Sequence, residues 1–184
     1  GSNAHSAVIG RCAIQPGWEG PVALIRNNKD GENRPPDMRY LRFLNLATGE
    51  EYLQEHPPEN SWKDNVGDDG RHSGSYPRFI DWRGRDDMDL MLVERHTRRP
   101  RVSVNDAASG AVLRETTHRG IGEAMARAFD LVGDGREEVI VWNRDEVAIY
   151  WNADPPEHPV PVKRTQRDYL LRSRHGSFVY NYPQ

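Results

Sequence analysis

Two stretches of the chain, "RFIDWRGRDDMDLMLV" (78–93) and "RAFDLVGDGREEVIVW" (127–142), lie over one another without a gap. The superposition sets Arg78 on Arg127, Asp81 on Asp130, Gly84 on Gly133 and Asp89 on Glu138. Self-similarity of this kind means that one supersecondary unit is used more than once. A unit that cannot bury its apolar face alone must stack on its neighbours. After each acidic loop comes a short apolar run, "LMLV" or "VIVW", then a polar turn and a second run, "RVSV" (101–104) or "VAIYW" (147–151). Apolar runs of that length between turn residues predict strands at 90–93, 101–104, 139–142 and 147–151. "GEAMARAFDLV" has some helical character, but its repeat partner contains Pro77 and Trp82, so a strand is expected there too.

A weaker third copy opens the chain: "HSAVIG" (5–10), "PVALIR" (21–26) and "RYLRFLNLATGEEYL" (39–53). Its "NLATGEEYL" matches "NDAASGAVL" (105–113), with Gly49 and Gly110 each turning a strand pair. The expectation is an all-β chain of about three antiparallel β-meander units of β-propeller type. The repeats run approximately over 5–53, 72–113 and 118–152, followed by a tail at 153–184. A β-sandwich with coincidentally similar hairpins also fits the strand pattern. Closed propellers use about four to eight blades, so three units predict a partial propeller, with further blades from a partner chain or from self-association. Gly1-Ser2-Asn3-Ala4 reads as a cloning remnant, and 5–184 as a single domain. The Pro-, Gly- and Asp-rich insertion at 54–71 is expected to be a loop, with Trp62 as a candidate substrate-binding residue.

Composition narrows the function. A net charge of −3 argues against a nucleic-acid partner, and no Lys/Arg block or basic helix suggests a membrane surface. The apolar runs are too short to span a bilayer. Cys12 is the sole cysteine, so an intramolecular disulfide and a cysteine-based metal site are ruled out. Only Lys29, Lys63 and Lys163 are lysines among 25 basic residues. The remaining arginines reflect either compositional bias or carboxylate recognition, for which the planar guanidinium is suited. Neither G-x-S-x-G nor HExxH occurs, and Gly120-x-Gly122 lacks the strand and helix of a nucleotide-binding turn. No signal-peptide core is present, which leaves localisation open.

The acidic loops carry the metal candidates. In D-x-[DN]-x-D-G-x-x-[DE], alternating carboxylates surround a hard cation and a glycine permits the tight turn. In 130–138, Asp130, Asp134 and Glu138 occupy three of the four side-chain positions and Val132 the fourth. That loop reads either as a calcium site or as a turn bridged by Arg127 or Arg136. In 81–89, Arg83 and Arg85 stand where ligands would be, so an arginine-bridged turn is expected.

"FDLVGDGREEVIVW", "VAIYWN" and "RDYLLRSRHGSFVYNYPQ" together resemble the C-terminal part of rhamnogalacturonan lyases of polysaccharide lyase family 11. The matching residues are Asp130, Leu131, Gly133, Asp134, Arg136, Glu137 and Glu138, with Tyr180, Asn181 and Tyr182 near the terminus. The resemblance implies a calcium-containing propeller with FG-GAP-like repeats, an acidic polysaccharide substrate and an extracellular location. β-Elimination in a uronate polymer needs a neutralised carboxylate, a base and an acid for the leaving oxygen. His72, Tyr76, Arg78, His118 and Arg127, at equivalent entry points of successive units, are the catalytic candidates; His5 belongs to the same set. Each histidine reads equally as a loop hydrogen-bonding residue. The alternative function is a non-catalytic carbohydrate- or protein-binding propeller module, or a purely structural array.

Overall fold

The computed structural model describes residues 4–18, 20–27, 40–55, 75–85, 88–94, 101–116 and 125–157. Eleven strands run through them, and among these residues there is no helix. The first sheet is formed by β1 (Ala4–Arg11), β2 (Pro21–Asn27), β3 (Tyr40–Asn45) and β4 (Glu51–Glu55). The second holds β5 (Ser75–Ile80), β6 (Asp89–Glu94), β7 (Arg101–Asn105) and β8 (Val112–Thr116). The third holds β9 (Met125–Phe129), β10 (Glu138–Trp142) and β11 (Val147–Tyr150). Each sheet is an antiparallel meander in chain order. All four expected strands are present, and the stretch with helical character is strand β9.

The repeat persists at the level of strand register. Arg78, Phe79 and Ile80 pair with Met91, Leu90 and Asp89. Their counterparts Arg127, Ala128 and Phe129 pair with Ile140, Val139 and Glu138. Gly49 and Gly110, at φ of 77° and 75°, close the hairpins β3–β4 and β7–β8. Here the structure shifts the sequence match by one residue. The Gly49 N–H bonds to the Asn45 carbonyl and the Gly110 N–H to the Asp106 carbonyl, so Asn45 corresponds to Asp106 rather than Asn105. A bulge in β7–β8 beside Val104 and Asn105 accompanies the slip.

Side-chain alternation along β6 decides how the sheets stack. Successive strand residues point to opposite faces. Leu90 and Leu92 enter one core with Phe79, Val22, Leu24, Phe43, Trp18 and Cys12. Met91 and Val93 enter a second core with Ile80, Val102, Val104, Ala128, Val139 and Val141. The second sheet is therefore buried on both faces, between the first and the third. That arrangement is why "DLMLVE" reads as a continuous apolar run rather than an alternating one.

The first and second sheets touch most closely where β1 lies beside β5. A β-carbon on Gly10 would lie 2.2 Å from Cγ of Phe79, so the glycine makes room for the ring. The Met88 N–H also donates to the Arg11 carbonyl at 2.8 Å, a backbone bond between sheets. Gly10→Ala is expected to destabilise the fold by about 1–3 kcal/mol through overpacking, read as a lower urea midpoint. Combined with Phe79→Ala, the loss should be less than additive. Strict additivity of the two changes would show that the two positions do not interact.

Candidate functional site

The equivalent loops β5–β6 and β9–β10 lie at one end of the second and third sheets and share an aspartate turn. Asp81 Oδ1 accepts the Gly84 N–H at 3.0 Å, and Asp130 Oδ1 accepts the Gly133 N–H at 2.7 Å. Both glycines have positive φ, 67° and 80°, a conformation that a side chain at those positions would strain. A β-carbon on Gly84 would also approach Pro156 Cβ to 2.7 Å, because the segment after β11 folds back over this loop. Three hydrogen bonds hold that segment there. Asn152 donates to the Trp82 carbonyl (3.2 Å), the Glu157 N–H to the Arg83 carbonyl (3.0 Å), and Arg136 to the Asp154 carbonyl.

The acids that open β6 and β10 are satisfied in different ways. Asp89, fully buried, accepts Arg83 through Nε at 3.0 Å and Nη2 at 2.5 Å, and Arg85 at 3.3 Å. Both arginines also reach Asp106, on the β7–β8 turn. Glu138 instead accepts the backbone N–H groups of Leu131 (2.6 Å) and Val132 (3.1 Å). Where Arg83 supplies a guanidinium, Val132 has no charge to offer, and backbone amides take its place.

These environments shift the protonation equilibria. Burial pushes Asp89 above the usual carboxylate range, a shift that Arg83 and Arg85 only partly offset. Burial also raises Glu138; the Leu131 and Val132 amides oppose the rise, and the charges of Asp134 and Asp130 add to it. Burial acts to raise Asp106 as well, yet hydrogen bonds from Arg83 and Ser109, with the Arg83 charge, hold it well below the usual range. Asp134 is lowered likewise: its own desolvation is outweighed by hydrogen bonds from the Arg136 guanidinium and backbone.

A clasp joins the two loops. The Asp81 N–H donates to Glu137 Oε2 at 2.9 Å, while the Glu137 N–H donates to the Asp81 carbonyl at 2.7 Å. Arg78 stands 3.6 Å from Glu137 Oε1. Glu137, 3% exposed, thus turns away from Asp130, Asp134 and Glu138 toward the neighbouring sheet. The alternation of acids in 130–138 predicts that Glu137 points away from the other three to an arginine, and the structure identifies that arginine as Arg78, itself a catalytic candidate. No motif links residues 59 positions apart.

Of the remaining candidates, only Arg127 and the three acids of 130–138 have described side chains. His72, His118 and Trp62 lie outside the described residues, as do the side chains of Tyr76 and His5. Tyr76 is a residue of β5 opposite Val93. Arg127 is exposed on β9, on the face turned away from the second sheet, so the third sheet separates it from Arg78. Of the three metal candidates, Asp134 is paired with Arg136 through Nε (2.9 Å) and Nη2 (2.5 Å). Asp130 and Glu138 accept turn amides. The donor set as arranged suits the arginine; a divalent cation would require Asp134 to exchange Arg136 for it. Among the described residues no three His, Cys, Asp or Glu side chains are grouped to hold a metal. Asp106, which sequence reasoning passed over, draws Arg83 and Arg85 together.

With its lowered carboxyl, Asp106 contributes stability that is fully present above the roughly 3.9 of an unfolded aspartate and is lost as pH falls through its folded value. Asp106→Asn should therefore cost stability at neutral pH and progressively less in acid. The gap between the two unfolding curves should narrow steadily as pH falls below about 4, measured by urea denaturation across pH. A difference that is constant with pH would mean that the carboxylate's charge plays no part.

Comparison of the chain with protein-family models, with curated proteins and with solved structures finds no match.

Proposed function

We propose that the chain is a non-catalytic binding module of β-propeller type, with the three meanders as successive blades. The stacking of like faces in chain order supports the blade reading. One observation carries the functional half. Arg78, Arg83, Arg85 and Arg136 are all engaged by carboxylates of the chain itself. A guanidinium held by an internal acid positions loops; an elimination catalyst needs its cationic groups turned to the substrate's carboxylate. Incubation with rhamnogalacturonan and other uronate polymers should give no rise in absorbance from an unsaturated uronate. A rise that His72→Ala or His118→Ala abolishes would replace this reading with the lyase one.

A second reading, acidic-polysaccharide binding assisted by calcium at 130–138, draws on one feature. Glu138 is raised by burial first and then by the charges of Asp134 and Asp130 on the same turn, a charge that a cation would offset; when bound, it would neutralise a uronate carboxylate. Exposed Trp151 offers a ring on which a sugar could stack. Under the primary reading the turn is arginine-bridged, and a chelator leaves the melting temperature unchanged. A drop on chelation, restored by added calcium and absent in Asp134→Ala, would establish the cation, since a ligand bound only to the folded state stabilises it.

A further inference from the structure

The forward face of the second sheet, turned to the third, presents Ile80, Met91, Val93, Val102 and Val104, each at most 5% exposed. Strand register gives each a counterpart on the third sheet. Ile80 corresponds to Phe129, Met91 to Ile140 and Val93 to Trp142. Val104, opposite Met91, corresponds to Ile149, opposite Ile140; Val102 corresponds in the same way to Val147. All five counterparts are apolar, yet nothing among the described residues covers them as the third sheet covers the second. Val147 is 67% exposed and Ile149 47%, with Trp151 beyond them at 64%. A continuous apolar face of this kind marks an interaction site.

The opposite end of the stack shows the complementary deficit. On the first sheet, Ile9 pairs with Ala23 as Phe79 pairs with Leu90. Phe79 and Leu90 are buried against the neighbouring sheet, whereas Ile9 is 68% exposed. Leu53, opposite Arg42, shares that rear face at 53% exposed.

We infer that the forward face of the third sheet receives the rear face of the first sheet of a second copy of this chain, head to tail. The chain thus carries both halves of the contact that it already makes twice internally. Two copies, each with three sheets among its described residues, bring six to a ring, inside the range of about four to eight that closed propellers use. The path of the described residues after β11 leaves the face open to a second copy. Asn152 to Glu157 turn back to the Trp82 and Arg83 carbonyls on the second sheet, away from the forward face. The new junction is weaker than the internal ones. The residue that corresponds to Met88 and Glu137, whose N–H groups bond across the internal junctions, is Pro21, opposite Arg11. Proline has no N–H to give, so the association responds to dilution.

This inference rests on the blade reading and not on whether a glycan is bound, so its test and the uronate assay fail separately. Light scattering after size exclusion, run on the full chain over about a hundredfold concentration range, should show mass rising from one copy to two. Ile149→Glu and Ile9→Glu, both at exposed positions, should each hold the protein at a single copy, because a uniform variant alters every junction. An equal mixture of the two should recover a pair containing one of each, seen with a tag on one. Val147→Lys serves the same purpose should Ile149→Glu fail to fold. A single-copy mass at every concentration overturns the inference and assigns cover of the face to the chain itself. A pair that Ile149→Glu dissolves and Ile9→Glu leaves intact overturns it in favour of a face-to-face dimer.

Discussion

Burial of the second sheet on both faces governs how its two neighbours and the loops between them are placed. Each aliphatic side chain taken fully out of water contributes about 1.5–3 kcal/mol, and β6 alone places Leu90, Met91, Leu92 and Val93 in two cores. A meander with a single apolar face would need one neighbour; this one needs two. The spacing is tight enough that Gly10 cannot carry a side chain against Phe79. Backbone bonds from Met88 to Arg11 and from Glu137 to Asp81 tie each sheet to the one before it. Stacking and loop position are thereby coupled: the loops sit where the sheets put them.

With the loops fixed, their charges must be satisfied locally. A buried carboxylate is tolerated only when paired or hydrogen-bonded. The chain solves the same problem twice with different means. At Asp89 two guanidinium groups serve, shared with Asp106; at Glu138 two backbone amides serve. Such pairs add little net stability over an apolar filling, but removing one member leaves an uncompensated charge. They fix the loops more than they strengthen the fold, which is consistent with a binding scaffold and with arginines drawn inward.

Much of the fold was legible in the residues, and for identifiable reasons. The ungapped match between 78–93 and 127–142 carried register as well as element type, because side-chain period in a strand is two and an unbroken alignment preserves which face each residue takes. It also overrode the helical character of the stretch before Asp130. The first repeat was harder to place: its turn matches the later one only after a shift of one residue, absorbed by a bulge that no composition signals. The arginine-bridged reading of 81–89 followed from Arg83 and Arg85 standing in ligand positions. The partner Asp106 did not, since it belongs to a different hairpin.

The strands, the turns at Gly49, Gly110, Gly84 and Gly133, and the equivalence of the two acidic loops can be read from the residues, since all of them depend on neighbours within a few positions. Packing between sheets sets which face of each sheet is covered, that Glu137 meets Asp81 and, among the arginines, Arg78, and that Arg127 stands outward where Arg78 is enclosed. Those outcomes depend on which sheet lies next. Equivalent apolar strand positions are buried in the middle of a stack and exposed at its end, because burial is a property of the neighbour and not of the strand.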